Sequence, residues 1–120
     1  MCHGVFDLFH FGHLEYFSSA KKYGDILIAS ITEDKFINKG PGRPVFKSFE
    51  RLKILEALEI VDYVVISRSV TSEKLIKLIK PDIYAKGPDY KNHKNDVTSN
   101  ILKEVKLVKR YGGKTIYTNE

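Results

Sequence analysis

Two histidines, His10 and His13, stand three apart around Gly12 in the stretch GVFDLFHFGHLEYF, residues 4–17. Four kinds of chemistry could use such a pair: metal ligation, acid/base transfer, a phosphate clamp, or the plain start of a helix. A catalytic zinc needs a third protein ligand. His3 and His93 lie elsewhere in the chain without metal-type spacing, so no metal ligand is assigned. Cys2 falls in what should be a buried strand, where a free thiol is usually inert packing. No serine sits in a nucleophile elbow.

The phosphate clamp accounts for more of the residues. Gly12 lets backbone and ligand approach closely, and a helix starting nearby aims free N–H groups and a positive dipole end at an anion. His10 and His13 add N–H donors beside that pole, able to follow charge that develops on a phosphate. Unlike the lysine of a P-loop, they can also gain protons as that charge grows. The other common phosphate loops, G-x-x-x-x-G-K-[ST] and G-x-G-x-x-G, are absent. Two polar residues filling a turn is the bland alternative, weaker for two histidines flanking a glycine than for one alone.

The elements that must position this pair alternate along the chain. Short β-rich runs occur at Asp25–Ile31, Tyr63–Ile66, Asp82–Ala85 and Lys114–Tyr117, and the first strand is expected to end at Phe6 and Asp7. Between them lie helical patterns: Leu14, Phe17, Ser18 and Lys21 up to Gly24; a helix capped by Ser48 with Leu52, Leu55 and Leu58 on one face; Leu75, Leu78 and Ile79 closed by Pro81; and Ile101, Val105 and Val108 ended by Gly112–Gly113. Strands alternating with helices predict an α/β fold: a Rossmann-like, doubly wound five-stranded parallel sheet with helices on both faces. Sites in such sheets lie beyond the carboxyl ends of the strands, where strand order reverses. That points to GVFDLFHFGH, ASITEDKFINKGPGRP and AKGPDYKNH.

The totals bound the answer. A chain of 120 residues is expected to form one domain. Its net charge of +5 fits either a phosphate-rich partner or lysines spread over solvated faces. No RNA-binding aromatic signature or long basic block argues for nucleic acid. No apolar run approaches the ~20 residues that span a bilayer, and no signal-peptide pattern opens the chain. One cysteine, Cys2, excludes an internal disulfide and suits a reducing cytoplasm. The short first strand, and a last strand with no closing helix, read as a fragment of a longer protein.

GVFDLFHFGH resembles the G-x-F-D-x-x-H-x-G-H signature of the cytidylyltransferase-like nucleotidyltransferases. TEDKFINKGPGRPVF, SFERLKILEALEIVDYVV and KPDIYAKGPDYK are similar to the heptose-1-phosphate adenylyltransferase half of bifunctional kinase/transferase enzymes. Glycerol-3-phosphate cytidylyltransferase is a more distant match, and Glu59 stands where that branch tends to have an arginine. The resemblance implies transfer of a nucleotidyl group from an NTP, ATP or CTP, to a phosphorylated small molecule such as heptose 1-phosphate, with release of pyrophosphate. It implies Mg²⁺ as a bridge between the NTP phosphates, a homodimer, and a sugar-kinase domain fused to this one.

By the same resemblance His10 and His13 hold the triphosphate, and Lys39 is a phosphate-binding lysine on its Gly/Pro-rich loop, with a solvated loop lysine as the alternative. Arg43 is a second cation in reach. Gly4, Phe6, Asp7 and Gly12 lie beside the nucleotide; Asp7 could also cap the helix that follows. Arg51 falls near the phosphates, or else makes a surface pair. Gly87, Asp89 and Tyr90 read the base and ribose, with Pro88 departing from the family pattern. The family's second signature, Ile/Phe-Ser-[ST]-[ST], is not in this chain. Its absence keeps a nucleotide-binding module without turnover as the competing reading.

Overall fold

Strand β1 (Cys2–Gly4) sits at the centre of a five-stranded sheet whose order is β3-β2-β1-β4-β5. The computed structural model describes residues 1–37, 42, 44–88 and 100–119. The elements follow in chain order: α1 (Phe11–Lys21), β2 (Ile28–Thr32), a single 3-10 turn (Asp34–Phe36), α2 (Ser48–Glu56), β3 (Tyr63–Ser67), α3 (Glu73–Ile79), β4 (Ile83–Lys86), α4 (Asn100–Arg110) and β5 (Lys114–Tyr117). Every pairing is parallel; Cys2, His3 and Gly4 lie opposite Ala29, Ser30 and Ile31. The chain runs outward from β1 through β2 to β3, then returns through α3 to place β4 on the other side of β1. The order therefore reverses between β1 and β4, and the β1–α1 turn stands at that point.

Helices cover both faces, as the alternation predicts. Tyr16, Phe17 and Ala20 of α1 and Leu55 of α2 pack with Cys2, Ala29, Ile31 and Ala85 on one side. Ile76 of α3 and Val108 of α4 pack with Met1 and Tyr84 on the other. The apolar stripes shift from the expected ones where a neighbour decides them. In α1 the buried face is Tyr16, Phe17 and Ala20, while Leu14 is exposed. In α3 it is Ile76, with Leu75 and Ile79 half-buried, while Leu78 is 79% exposed.

The stripe of α4 also contains a buried acid. The Glu104 carboxylate accepts from the Ser72 backbone N–H (3.2 Å), the Ser72 hydroxyl (2.6 Å) and the Tyr84 hydroxyl (3.0 Å). A buried carboxylate is tolerated only when its oxygens are satisfied in this way. The bonds tie α4 and the start of α3 to β4.

β2 begins at Ile28, three residues later than the β-rich run from Asp25 predicts, and two further boundaries differ for a local reason. β1 ends at Gly4 instead of running to Phe6 and Asp7, because Phe6 adopts a left-handed backbone with φ of 49°. Ser48 is the first residue of α2 and not its cap. Its hydroxyl instead accepts from the Asp34 N–H (3.1 Å) and from Arg51 Nη2 (3.2 Å).

Candidate active site

The signature turn explains itself residue by residue. Gly4 is required because the Phe6 ring lies over it: a Cβ there would sit 3.0–3.3 Å from the ring carbons. Phe6 reaches that position through its left-handed backbone, which costs a non-glycine residue about 1–3 kcal/mol. The cost is offset by burial among aromatic rings. The Phe6 ring meets His13 edge-on at 5.4 Å and Phe17 at 5.0 Å, and Phe9 lies 5.3 Å from His13. Phe6 and Phe9 thus form the apolar wall that orients the His13 ring.

His10 is the N-cap of α1 with extended backbone angles, and His13 is the third helical residue. The Gly12 N–H donates to His10 Nδ1 at 3.0 Å, and the His10 N–H donates to His13 Nδ1 at 3.2 Å. This is a capping box built from two imidazoles in place of the usual hydroxyl and carboxylate. The two rings stack with centroids 3.9 Å apart. A peptide N–H can only donate, so both Nδ1 atoms must be acceptors, and each neutral ring carries its proton on Nε2.

Gly12 also houses the His10 ring, which a Cβ would meet at 2.9 Å (Cε1) and 3.1 Å (Nδ1). Each Nδ1 is engaged by a backbone donor. What the geometry supports is donation from Nε2–H. His10 is exposed, and the first turn of α1 holds no acidic residue, so an anion meets the helix pole without a competing carboxylate.

Asp7 and Arg51 are both buried and bonded within the protein. Asp7 is buried and does not cap α1; its two oxygens accept from the Val45 and Phe46 N–H groups, each at 2.7 Å. Arg51 is 0% exposed, which corrects the surface pair. Its guanidinium donates to Phe46 O (3.0 Å), Val5 O (2.9 Å), Asp34 Oδ1 (2.7 Å) and Ser48 Oγ (3.2 Å). Burial pushes the Asp34 carboxyl up, but the bonds from Ser48 and Arg51 outweigh it and hold the group below the usual carboxylate range. Together the two residues fasten the segment before α2 to the end of β1.

Gly87 is half-buried just past the carboxyl end of β4, beside the reversal point. Lys39, Arg43, Asp89 and Tyr90 lie outside the described residues. Sequence reasoning overlooked Lys86, a buried cation ending β4 with its ammonium 5.5 Å from the Tyr84 ring centroid. A lysine closing an apolar strand was the available signal. His3, set aside above as a metal ligand, pairs its Nδ1 with Ser30 Oγ at 2.8 Å. Burial, helped by the Lys86 charge, lowers the His3 pKa to about 3. Among the described residues no three His, Cys, Asp or Glu side chains are grouped to hold a metal ion. No described helix is long and apolar enough to cross a membrane.

The parallel sheet with a histidine-capped helix at its reversal point has a family to match: the chain belongs to the cytidylyltransferase-like family, whose model matches residues 1–117. Within that family it is similar to the bifunctional protein HldE of Nitratiruptor sp., at 46% identity over 114 residues, covering 93% of this chain and 24% of that protein. HldE of Campylobacter fetus is also 46% identical, over 93% of this chain and 25% of that protein. The chain thus spans about a quarter of the length of these relatives. These matches agree with the resemblance to bifunctional enzymes carried by the loop and helix segments. Among solved structures, a lipopolysaccharide core biosynthesis protein from Thermoplasma volcanium superposes with a TM-score of 0.81 at 26% identity, covering 100% of this chain and 94% of that one. A pantoate-beta-alanine ligase from Francisella tularensis shares the fold alone, with a TM-score of 0.60 at 17% identity, over 98% of this chain and 57% of that one.

Proposed function

We propose that the chain moves a nucleotidyl group from ATP or CTP to a sugar phosphate of the heptose 1-phosphate class and releases pyrophosphate. The observation that carries this reading is the pair of imidazoles whose Nδ1 atoms are occupied by peptide N–H groups. Their Nε2–H donors sit at the N-terminus of α1 and at the reversal point of the sheet, where a triphosphate would bend. An oxygen of the acceptor phosphate attacks the α-phosphorus, the bond to the β-phosphate oxygen breaks, and pyrophosphate leaves. Charge grows on the phosphoryl oxygens during this in-line displacement, and fixed donors aimed at them lower the barrier.

In this proposal His10 and His13 donate to the phosphates, with Lys39 and Arg43 as further cations. Gly87, Asp89 and Tyr90 contact the nucleoside. Gly4, Phe6, Asp7, Gly12 and Arg51 shape the turn. Mg²⁺ held by the NTP phosphates would neutralise part of their charge and would need few protein ligands. The remaining proposals are a homodimer, a fused sugar-kinase domain and a cytoplasmic location.

The test is pyrophosphate release from ATP and CTP with Mg²⁺ and a panel of sugar 1-phosphates. Release that depends on one sugar phosphate supports the reading. Nucleotide binding without release for any acceptor would instead favour a binding module.

A further inference from the structure

We propose that Arg51 is a positioning residue for His13, acting through Val5 and Phe6 and not through contact with substrate. This deepens the proposed function, and it rests on that reading only where turnover is concerned.

The links are all on one side of the sheet. Arg51 Nη1 donates to the Val5 carbonyl at 2.9 Å. That carbonyl belongs to the peptide that enters Phe6, whose φ of 49° is the strained point of the turn. A charged donor on the entering peptide holds the bend in an orientation the chain would otherwise relax from. The bend lays the Phe6 ring over Gly4 and against the His13 ring, edge-on at 5.4 Å. His13 has its Nδ1 fixed by the His10 N–H, and the Phe6 edge, together with Phe9 and the stacked His10 ring, sets the remaining tilt of the ring and the direction of Nε2.

Arg51 is held rigid for this task. Asp34 Oδ1 and Ser48 Oγ take Nη2 at 2.7 and 3.2 Å, and Phe46 O takes Nε at 3.0 Å. Phe46 is itself gripped from its other side, where its N–H donates to Asp7 at 2.7 Å. The buried guanidinium has four protein acceptors and no exposed surface. A phosphate ligand would need to break this set. A planar fork is also what the arrangement requires, since an ammonium cannot reach Val5, Phe46 and Asp34 together.

The experiment compares Arg51→Lys, Gly4→Ala and Asp34→Asn with the parent chain, reading the ring ¹⁵N and ¹H signals of His13, thermal stability, and pyrophosphate release. Arg51→Lys is expected to move the His13 signals and to lower kcat by about 10²-fold, the cost of a displacement near 1 Å, with KM for the NTP changed far less. Gly4→Ala, which displaces the Phe6 ring directly, should move the same His13 signals. Asp34→Asn loosens one end of the guanidinium and should lower stability and move the His13 signals in the same direction as Arg51→Lys, by a smaller amount; His13 signals that move more than in Arg51→Lys would overturn the proposal. His13 signals unmoved in a folded Arg51→Lys protein would overturn the proposal, whatever its turnover. Should Arg51→Lys not fold, a hydrogen-bond coupling between Arg51 Nη1 and the Val5 carbonyl carbon is measured in the parent chain together with the Gly4→Ala response. Absence of either one overturns it. The ring signals need no substrate, so a parent chain without pyrophosphate release defeats the proposed function and leaves this test standing.

Discussion

Replacing Gly12 by alanine separates stability from function at the site. A Cβ at this position meets His10 Cε1 at 2.9 Å and Nδ1 at 3.1 Å. Both atoms belong to a side chain that can swing outward, so relief is cheap, but it removes the bond from the Gly12 N–H to Nδ1. Loss of an N-cap bond costs about 1 kcal/mol. Alanine in place of glycine inside a helix returns about 0.5–1 kcal/mol. The two effects nearly cancel, and the melting temperature should move by no more than about 5 °C in either direction. Turnover has no such compensation. A displaced His10 no longer aims Nε2–H at the phosphates, and the loss of one aligned donor costs about 3 kcal/mol, or roughly 10²-fold in kcat. Calorimetry and a pyrophosphate-release assay on the same preparation check both halves. A Gly12→Ala protein with unchanged turnover and unmoved His10 ring signals would refute the reasoning that glycine is there to house the imidazole.

His13→Ala should reduce pyrophosphate release by about 10²–10³-fold, read from kcat at saturating NTP. Asp7→Asn replaces an acceptor of two N–H bonds by a group that must turn its NH₂ toward one of them; stability should fall by about 2–3 kcal/mol in urea titration. Tyr84→Phe leaves Ser72 and Glu104 short of a partner in a buried site, and about 1–2 kcal/mol should be lost with no change in KM for the NTP. His3 is held neutral in the fold, with a pKa of about 3 against an ordinary 6.5. Its contribution is fully present above pH 6.5 and is lost as pH falls toward 3, because the unfolded chain then binds the extra proton. At pH 5 the loss is about 2 kcal/mol, and a His3→Gln protein should show a flatter stability curve between pH 7 and 5 by calorimetry.

The layered sheet and the place of the site were legible because they depend on local patterns. Short Val/Ile/Tyr runs alternate with helical stripes, and the HxGH turn marks the reversal point. What the pattern hid are contacts between segments far apart in the chain. Arg51 reads from the sequence as an arginine near the phosphates or in a surface pair; its bonds to Val5, Asp34 and Phe46 are not legible there. Asp7 sits where a helix cap belongs, yet backbone groups 38 and 39 residues away take both of its oxygens. The burial of Glu104 depends on Ser72 and Tyr84, on two other elements. The stripe of α3 was misjudged at Leu78 because helix periodicity alone cannot tell which of several leucines faces a partner.

The bonds that orient His10 and His13 come from main-chain N–H groups within the same short turn. Mutation cannot delete a peptide donor short of introducing proline, so the donor half of each bond is proof against side-chain drift in the loop after β4. Swapping that loop between relatives should leave the donor pair tuned as before, whereas the segment after β2 carries Asp34 and Phe46, which hold Arg51. The turn thus travels with α2 and the segment before it as one cassette, and the freedom to vary lies on the β4 side of the sheet.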